Sequence, residues 1–229
     1  AFARDGGRIE QQRERALEIG LGGLVGSGGT SDPRVLAFAR LGIVDRAVVH
    51  QPLARDRRHH QPLVADAEDA VVGDLEGNVE RIVAAVSEAQ RAAADLVVLP
   101  ELAVTGYPPE DLLLRPGFVR AAREAVDEVA RACTGTVALV GAPAFDRDLA
   151  NAAFVCAEGT VKGVYRKHFL PNYGVFDEHR YFAAGRELLL LEMGDALVGP
   201  TICEDVWQPG PPATDLALAG ATLLVNLSA

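Results

Sequence analysis

From residue 71 onward the chain alternates between two hydrophobic rhythms. In "GDLEGNVERIVAAVSEAQRAAA", Val79, Ile82, Val83 and Val86 recur at the i, i+3, i+4, i+7 spacing of a helix with one face turned to a core. "DLVVLPE" follows as a short apolar run stopped by proline, the pattern of a buried strand. "GFVRAAREAVDEVARAC" predicts a second amphipathic helix, with Phe118, Ala122, Ala125, Val126 and Val129 on one side, and "TVALVGAP" predicts the next strand. "NAAFVCAEGTVKGVYRK" predicts two strands joined at Glu–Gly, "ELLLLEMGDALVGPTIC" two more joined at Gly–Asp, and "DLALAGATLLVNLSA" a helix and a last strand. Helix–strand units mixed with hairpins, and strands apolar on both faces, predict an α/β domain whose sheets are covered by helices.

Residues 1–70 lack this rhythm. "RIEQQRERALEIG" predicts a short helix stopped by "GLGGLVGSGG", whose glycines miss both the GxGxxG spacing and a GK[ST] sequence and so predict a linker. "SDPRVLAFARLGIV" has an Asp–Pro helix start. "HQPLARDRRHHQP" has almost nothing to bury and is expected to be disordered.

Charge divides the chain at the same place. Residues 1–70 hold ten arginines and ten acids, so the whole net charge of −10 lies on residues 71–229. An acidic domain argues against nucleic acid as the main partner. Cys133, Cys156 and Cys203 cannot all pair, and no CxxC or Cys/His cluster suggests zinc, so no metal is expected. Free thiols fit a reduced, cytoplasmic setting. No apolar run reaches the roughly 18 residues of a membrane span, and no signal peptide is expected at the first residues.

Three predicted strand ends carry reactive side chains: Glu101 after "LVVLP", Lys167 after "GVYR" and Cys203 after "LVGPTI". A thiol with an ordinary pKa near about 8.5 needs a base or a cation before it attacks well. A glutamate in an apolar pocket can serve as that base, and a lysine can stabilise an oxyanion. Together the three would make an acyl-transfer centre without histidine. Taken singly, each has a plainer reading: a core cysteine, a surface or capping acid, and a solvated basic turn in "YRKH".

The stretches "LVVLPELAVTGYPPEDLL", "YRKHFLPNYGVFDEHRYF" and "ICEDVW" resemble the carbon–nitrogen hydrolase (nitrilase) superfamily. Within it they are most similar to the glutamine-hydrolysing domain of the glutamine-dependent NAD synthetases. The resemblance covers about residues 71–229 and implies an α-β-β-α sandwich, usually oligomeric. It implies that Cys203 attacks the glutamine side-chain amide, that Glu101 is the general base, and that Lys167 stabilises the oxyanion with a neighbouring backbone N–H. It further implies that Glu178 positions the lysine, that Tyr173 and Glu204 contact glutamine, and that Ser228 in "NLSA" lies where the amino-acid end is held. Tyr107, Pro108 and Pro109 are expected to form a rigid turn, Asp205 to cap a following helix, and Trp207 and His168 to pack or form a rim. Cys133 and Cys156 are expected in the core.

Members of the family open the domain with an alternating strand just before the "VVGD" position. Here "HHQPLVADAEDAVVGD" offers at most a stub at Leu63–Ala65. Residues 1–70 are therefore expected not to be native family sequence, through a shifted frame or a misplaced start. The sandwich is expected to be incomplete at both ends, and the domain truncated at its C-terminus. "SGGTSD" at residues 27–32 lies on the wrong side of the chain to be a pyrophosphatase loop. The expected function is glutamine hydrolysis through a cysteine thioester, supplying ammonia for NAD synthesis from deamido-NAD. That step needs no cofactor. ATP would belong to a synthetase domain, C-terminal or separate, that this chain lacks. The alternatives are a free-standing amidase acting on another small amide and an inactive fragment.

Overall fold

The computed structural model describes the backbone of Leu17–Gly20 and, in full, residues 70–193 and 196–229. The expected linker, the helix at "SDPRVLAFARLGIV", the disordered "HQPLARDRRHHQP" and the stub at Leu63–Ala65 lie outside those residues.

Two helices form where the apolar stripes predict them. Helix α1 (Leu75–Arg91) starts at Asp74, whose side chain accepts a hydrogen bond from the Gly77 N–H at 3.0 Å. It buries Val79, Ile82 and Val86, with Val83 packed at the margin. Helix α2 (Pro116–Ala132) opens on Pro116, at a position where a missing N–H costs nothing. It buries Ala122, Ala125, Val126 and Val129 and leaves Phe118 half-buried.

The strands form two four-stranded sheets. One has the order β2 (Leu96–Val98), β3 (Val137–Phe145), β4 (Leu149–Ala157), β5 (Thr160–Arg166), parallel at β2–β3 and antiparallel beyond. The other has the order β1 (Leu17–Gly20), β6 (Leu189–Met193), β7 (Ala196–Ile202), β8 (Leu223–Leu227). The two-residue period of a strand decides the layers. Leu96, Val98, Val137, Leu139, Ala153 and Val155 face inward and meet Leu189, Leu191, Val198, Ile202 and Val225 between the sheets. Their neighbours Val97, Ala138, Val140, Ala152 and Phe154 face outward onto α1 and α2. On the far side Leu188 and Leu190 pack on Leu216 of the short helix α3 (Ala213–Leu218). The result is the expected α-β-β-α sandwich.

Glu158 and Gly159 turn the β4–β5 hairpin with φ of +50° and +75°, as a two-residue turn requires. Gly194 and Asp195, expected to turn the β6–β7 hairpin, lie outside the described residues, but Met193 pairs with Ala196 in an antiparallel register. One expectation is corrected. The helix predicted over "RIEQQRERALEIG" does not include its last four residues, which run parallel to β6 with Leu17 opposite Leu189. The outer edge of β6 would otherwise present unpaired N–H and C=O groups, and pairing there outweighs the weak helical preference of four residues before glycine.

Candidate active site

The predicted strand ends meet at one rim of the sandwich. Glu101 sits in a turn just after β2, laid against β3 at Gly141: the Val104 N–H donates to the Gly141 carbonyl at 3.1 Å. A Cβ at residue 141 would stand 2.0 Å from the Pro100 oxygen and 2.5 Å from the Leu102 nitrogen, so only glycine admits the turn. Leu102, the next residue, is held at φ +51°. Lys167 follows β5 directly, its N–H bonded to the Asn151 carbonyl at 2.8 Å and its carbonyl to the Gly185 N–H at 2.7 Å. Cys203 follows β7 and opens a 3-10 turn, Cys203–Val206, at φ +44°. A left-handed backbone at a non-glycine residue is strained, and such strain concentrates at functional turns.

The side chains converge. The Lys167 ammonium, fully buried, donates to Glu101 Oε1 at 2.6 Å and to Glu178 Oε1 at 2.8 Å. Asn151 Nδ2 donates to the same Glu101 oxygen at 2.7 Å, and the Tyr107 hydroxyl reaches Glu178 Oε1 at 3.3 Å. Two carboxylates thus share one cation in a site closed to water, where a lost partner is costly. Burial alone would lower the lysine's pKa, but the charges of Glu101 and Glu178 outweigh it and hold the ammonium above its ordinary value. Burial first, and then the charge of Glu101, raise Glu178 against the opposing pull of Lys167. The Cys203 thiol is pushed up to about 12, by burial and then by the charge of Glu101, with contact between thiol and carboxylate adding to the effect. It rests as a neutral S–H beside a carboxylate. Glu101 Oε2 is buried with no hydrogen-bond partner among the described residues.

Beside this cluster, Glu204 is nearly buried. It accepts from the Tyr173 hydroxyl at 2.8 Å through one oxygen and from Gln208 Nε2 at 2.7 Å through the other. The Tyr173 ring is exposed, and that bond raises the pKa of its hydroxyl. Ser228 is one residue beyond Leu227, which lies opposite Ile202 in the parallel β7–β8 pair, so it shares the strand-end position of Cys203. Its Oγ accepts from Asn226 Nδ2 at 2.9 Å. All seven predicted site residues therefore lie at this rim. Trp207 is exposed, and His168 stacks on Tyr165.

Three further residues contribute to the site in ways that sequence reasoning does not assign. Asn151 was visible only as the one polar residue opening the apolar run "NAAFVC". Tyr107 does more than shape a turn, since its hydroxyl joins the cluster. Contrary to expectation, Asp205 does not cap a following helix; it lies inside the 3-10 turn and accepts the N–H of Ile202 just before it at 3.0 Å, and it is fully buried and also bonds three residues of another segment. Cys133 and Cys156 are buried core thiols, as expected. Among the described residues no group of three or more His, Cys, Asp or Glu side chains is placed to hold a metal ion, and no helix is long and apolar enough to cross a membrane.

A layered α-β-β-α sandwich with cysteine, glutamate and lysine gathered at its strand ends defines the class of protein. The carbon–nitrogen hydrolase family model matches residues 59–229, and the chain belongs to that family. The match begins ahead of residue 71, where the hydrophobic rhythm starts. A glutamine-dependent NAD(+) synthetase of Thermotoga maritima is 47% identical over 161 residues, covering 69% of this chain and 28% of the relative. The glutamine-dependent NAD+ synthetase of Acinetobacter baumannii, solved with ADP, superposes with a TM-score of 0.66 at 34% identity, over 69% of this chain and 30% of that one. An amidase mutant from Nesterenkonia sp. AN1, carrying acrylamide added to its active-site cysteine, superposes with a TM-score of 0.61 at 25% identity, over 69% of this chain and 63% of that one. The chain thus spans under a third of the synthetases it matches.

Proposed function

We propose that residues 71–229 form the glutaminase unit of a glutamine-dependent NAD synthetase and that Glu101, Lys167 and Cys203 are its catalytic residues. The observation that carries this reading is the buried Glu101–Lys167–Glu178 cluster set against the Cys203 thiol. As Cys203 Sγ attacks the glutamine amide carbon, Glu101 takes the thiol proton. The oxyanion is met by the Lys167 ammonium and by the backbone N–H at the start of the 3-10 turn. When the C–N bond breaks, Glu101 returns the proton to the leaving ammonia. Water, activated by Glu101, then cleaves the thioester to release glutamate. Glu178 positions the lysine. Tyr173, Glu204 and Ser228 would bind the amino-acid end of glutamine, Glu204 and the Tyr173 hydroxyl by charge and hydrogen bonding.

The sequence similarity to synthetases supports glutamine as the amide and a synthetase domain as the partner that consumes the ammonia. ATP would be used in that domain and not here. Free thiols suit a cytoplasmic protein, and the intact enzyme would be a homo-oligomer.

The test is ammonia release by the purified chain from glutamine against a panel of small amides, with Cys203→Ala as control. Glutamine is expected to be preferred and the control to be inactive. Preference for a simple aliphatic amide would replace the glutaminase reading by that of a free-standing amidase. Turnover above background in the control would refute the covalent route.

A further inference from the structure

Among the described residues at the rim, Asp205 is the one fully buried acid to which the mechanism above assigns no part. Its Oδ2 accepts from the Ile202 N–H at 3.0 Å and from the Tyr165 hydroxyl at 2.7 Å. Its Oδ1 accepts from the N–H groups of His168 and Phe169 at 3.0 and 2.9 Å. Ile202 immediately precedes Cys203, and His168 and Phe169 immediately follow Lys167. One carboxylate therefore spans the two sheets, tying the backbone that presents the thiol to the backbone that presents the ammonium. Such bonds to an ionised acceptor are short and strong, and each oxygen here is used twice. A capping acid needs only the Ile202 bond; the other three go to β5 and the segment after it.

We propose that Asp205 is a positioning residue that sets the separation of Cys203 from Lys167. The two oxyanion donors come from different sheets, the ammonium from the sheet ending in β5 and the backbone N–H from the one ending in β7. They converge on one oxygen only if the sheets keep a fixed offset at this rim. The Cys203 backbone at φ +44° would relax if the residue before it lost its anchor. Misplacing a reacting group by an ångström costs about a hundredfold in rate, although the binding side chains are untouched.

The variant that tests this is Asp205→Asn, equal in size and uncharged. In either amide orientation an NH2 group faces backbone N–H donors on one side, so one of the two anchors is lost. The first measurement is the rate constant for alkylation of the 229-residue chain by iodoacetamide, with labelling at Cys203 read by peptide mass. It needs no amide substrate, so it reports on Asp205 even if glutamine proves not to be the substrate. The rate constant is expected to change at least tenfold at unchanged amplitude. A residue that only stabilised the fold would add a faster phase, because the exposed thiol of unfolded protein alkylates readily, and leave the rate constant of the folded fraction unchanged; that result overturns the proposal. The second measurement rests on the glutaminase reading: kcat for glutamine is expected to fall about a hundredfold with KM within threefold. A folded variant within threefold of the parent in both the alkylation rate constant and kcat also overturns the proposal. Should Asp205→Asn fail to fold, Tyr165→Phe removes one bond only. It is expected to shift the alkylation rate constant about threefold, and an unchanged rate constant there refutes the role.

Discussion

Lys167→Met is the sharpest test of the buried cluster. The substitution keeps most of the side-chain volume and removes the ammonium that bonds Glu101 at 2.6 Å and Glu178 at 2.8 Å. Breaking a buried ion pair from one side costs about 3–5 kcal/mol, because the partner charge stays buried without compensation. In a chain of this length that is a fall in melting temperature on the order of 10 °C. The sign of the pH dependence follows from Glu178. Its folded pKa is already raised by burial and by Glu101, while Lys167 alone among its charged neighbours pulls it down. Without the lysine it rises further above the unfolded value. Between those two values the folded chain holds a proton that the unfolded chain has released, so stability is full below the unfolded pKa and declines as pH rises through the folded one. The variant should therefore recover much of its lost melting temperature when taken from pH 8 to pH 5. Ammonia release should fall on the order of a hundredfold or more, the loss of one oxyanion donor. Melting scans at several pH values and a steady-state ammonia assay read both effects. A variant that melts with the parent at pH 8 and loses less than tenfold in rate would show that the ammonium neither neutralises the carboxylates nor meets the oxyanion.

Two further outcomes follow from the same geometry. The Cys203 and Cys133 thiols, both pushed up to about 12, should show no thiolate absorbance at pH 9 in the folded chain. Over the window from about 9 to about 12 the unfolded chain ionises its thiols first, so stability, complete below it, should decline with rising pH by about 1 kcal/mol per unit for each such thiol; thiolate absorbance at pH 7 would instead mean a preformed thiolate–ammonium pair. Gly141→Ala sets a methyl group against the Pro100 oxygen and should displace the Glu101 turn, costing about 1–3 kcal/mol in denaturant unfolding together with most of the activity; a fully active variant would mean the turn has room to move.

Much of this protein was legible in its sequence because periodicity and burial are local properties. The stripe Val79, Ile82, Val83, Val86 and the apolar runs around Leu96 and Val137 could belong only to elements covered by a core. Glu101, Lys167 and Cys203 were legible as strand-end residues because each sits where such a run stops, and the surrounding words carried the family resemblance. What the sequence left open was set by contacts between elements far apart in the chain. Glu101 and Lys167 are 66 residues apart, yet share a proton-bearing contact of 2.6 Å. Asn151 and Tyr107 join their cluster from a strand and a loop that no spacing rule connects to it. Asp205 read as a local cap because one of its bonds is local; the other three exist only once β5 and β7 lie in facing sheets. In the same way Leu17–Gly20 read as helix within its own segment, and the free edge of β6 made it a strand. Hydrophobic pattern determines which residues must be buried, while the stacking of two sheets determines which buried polar groups find one another.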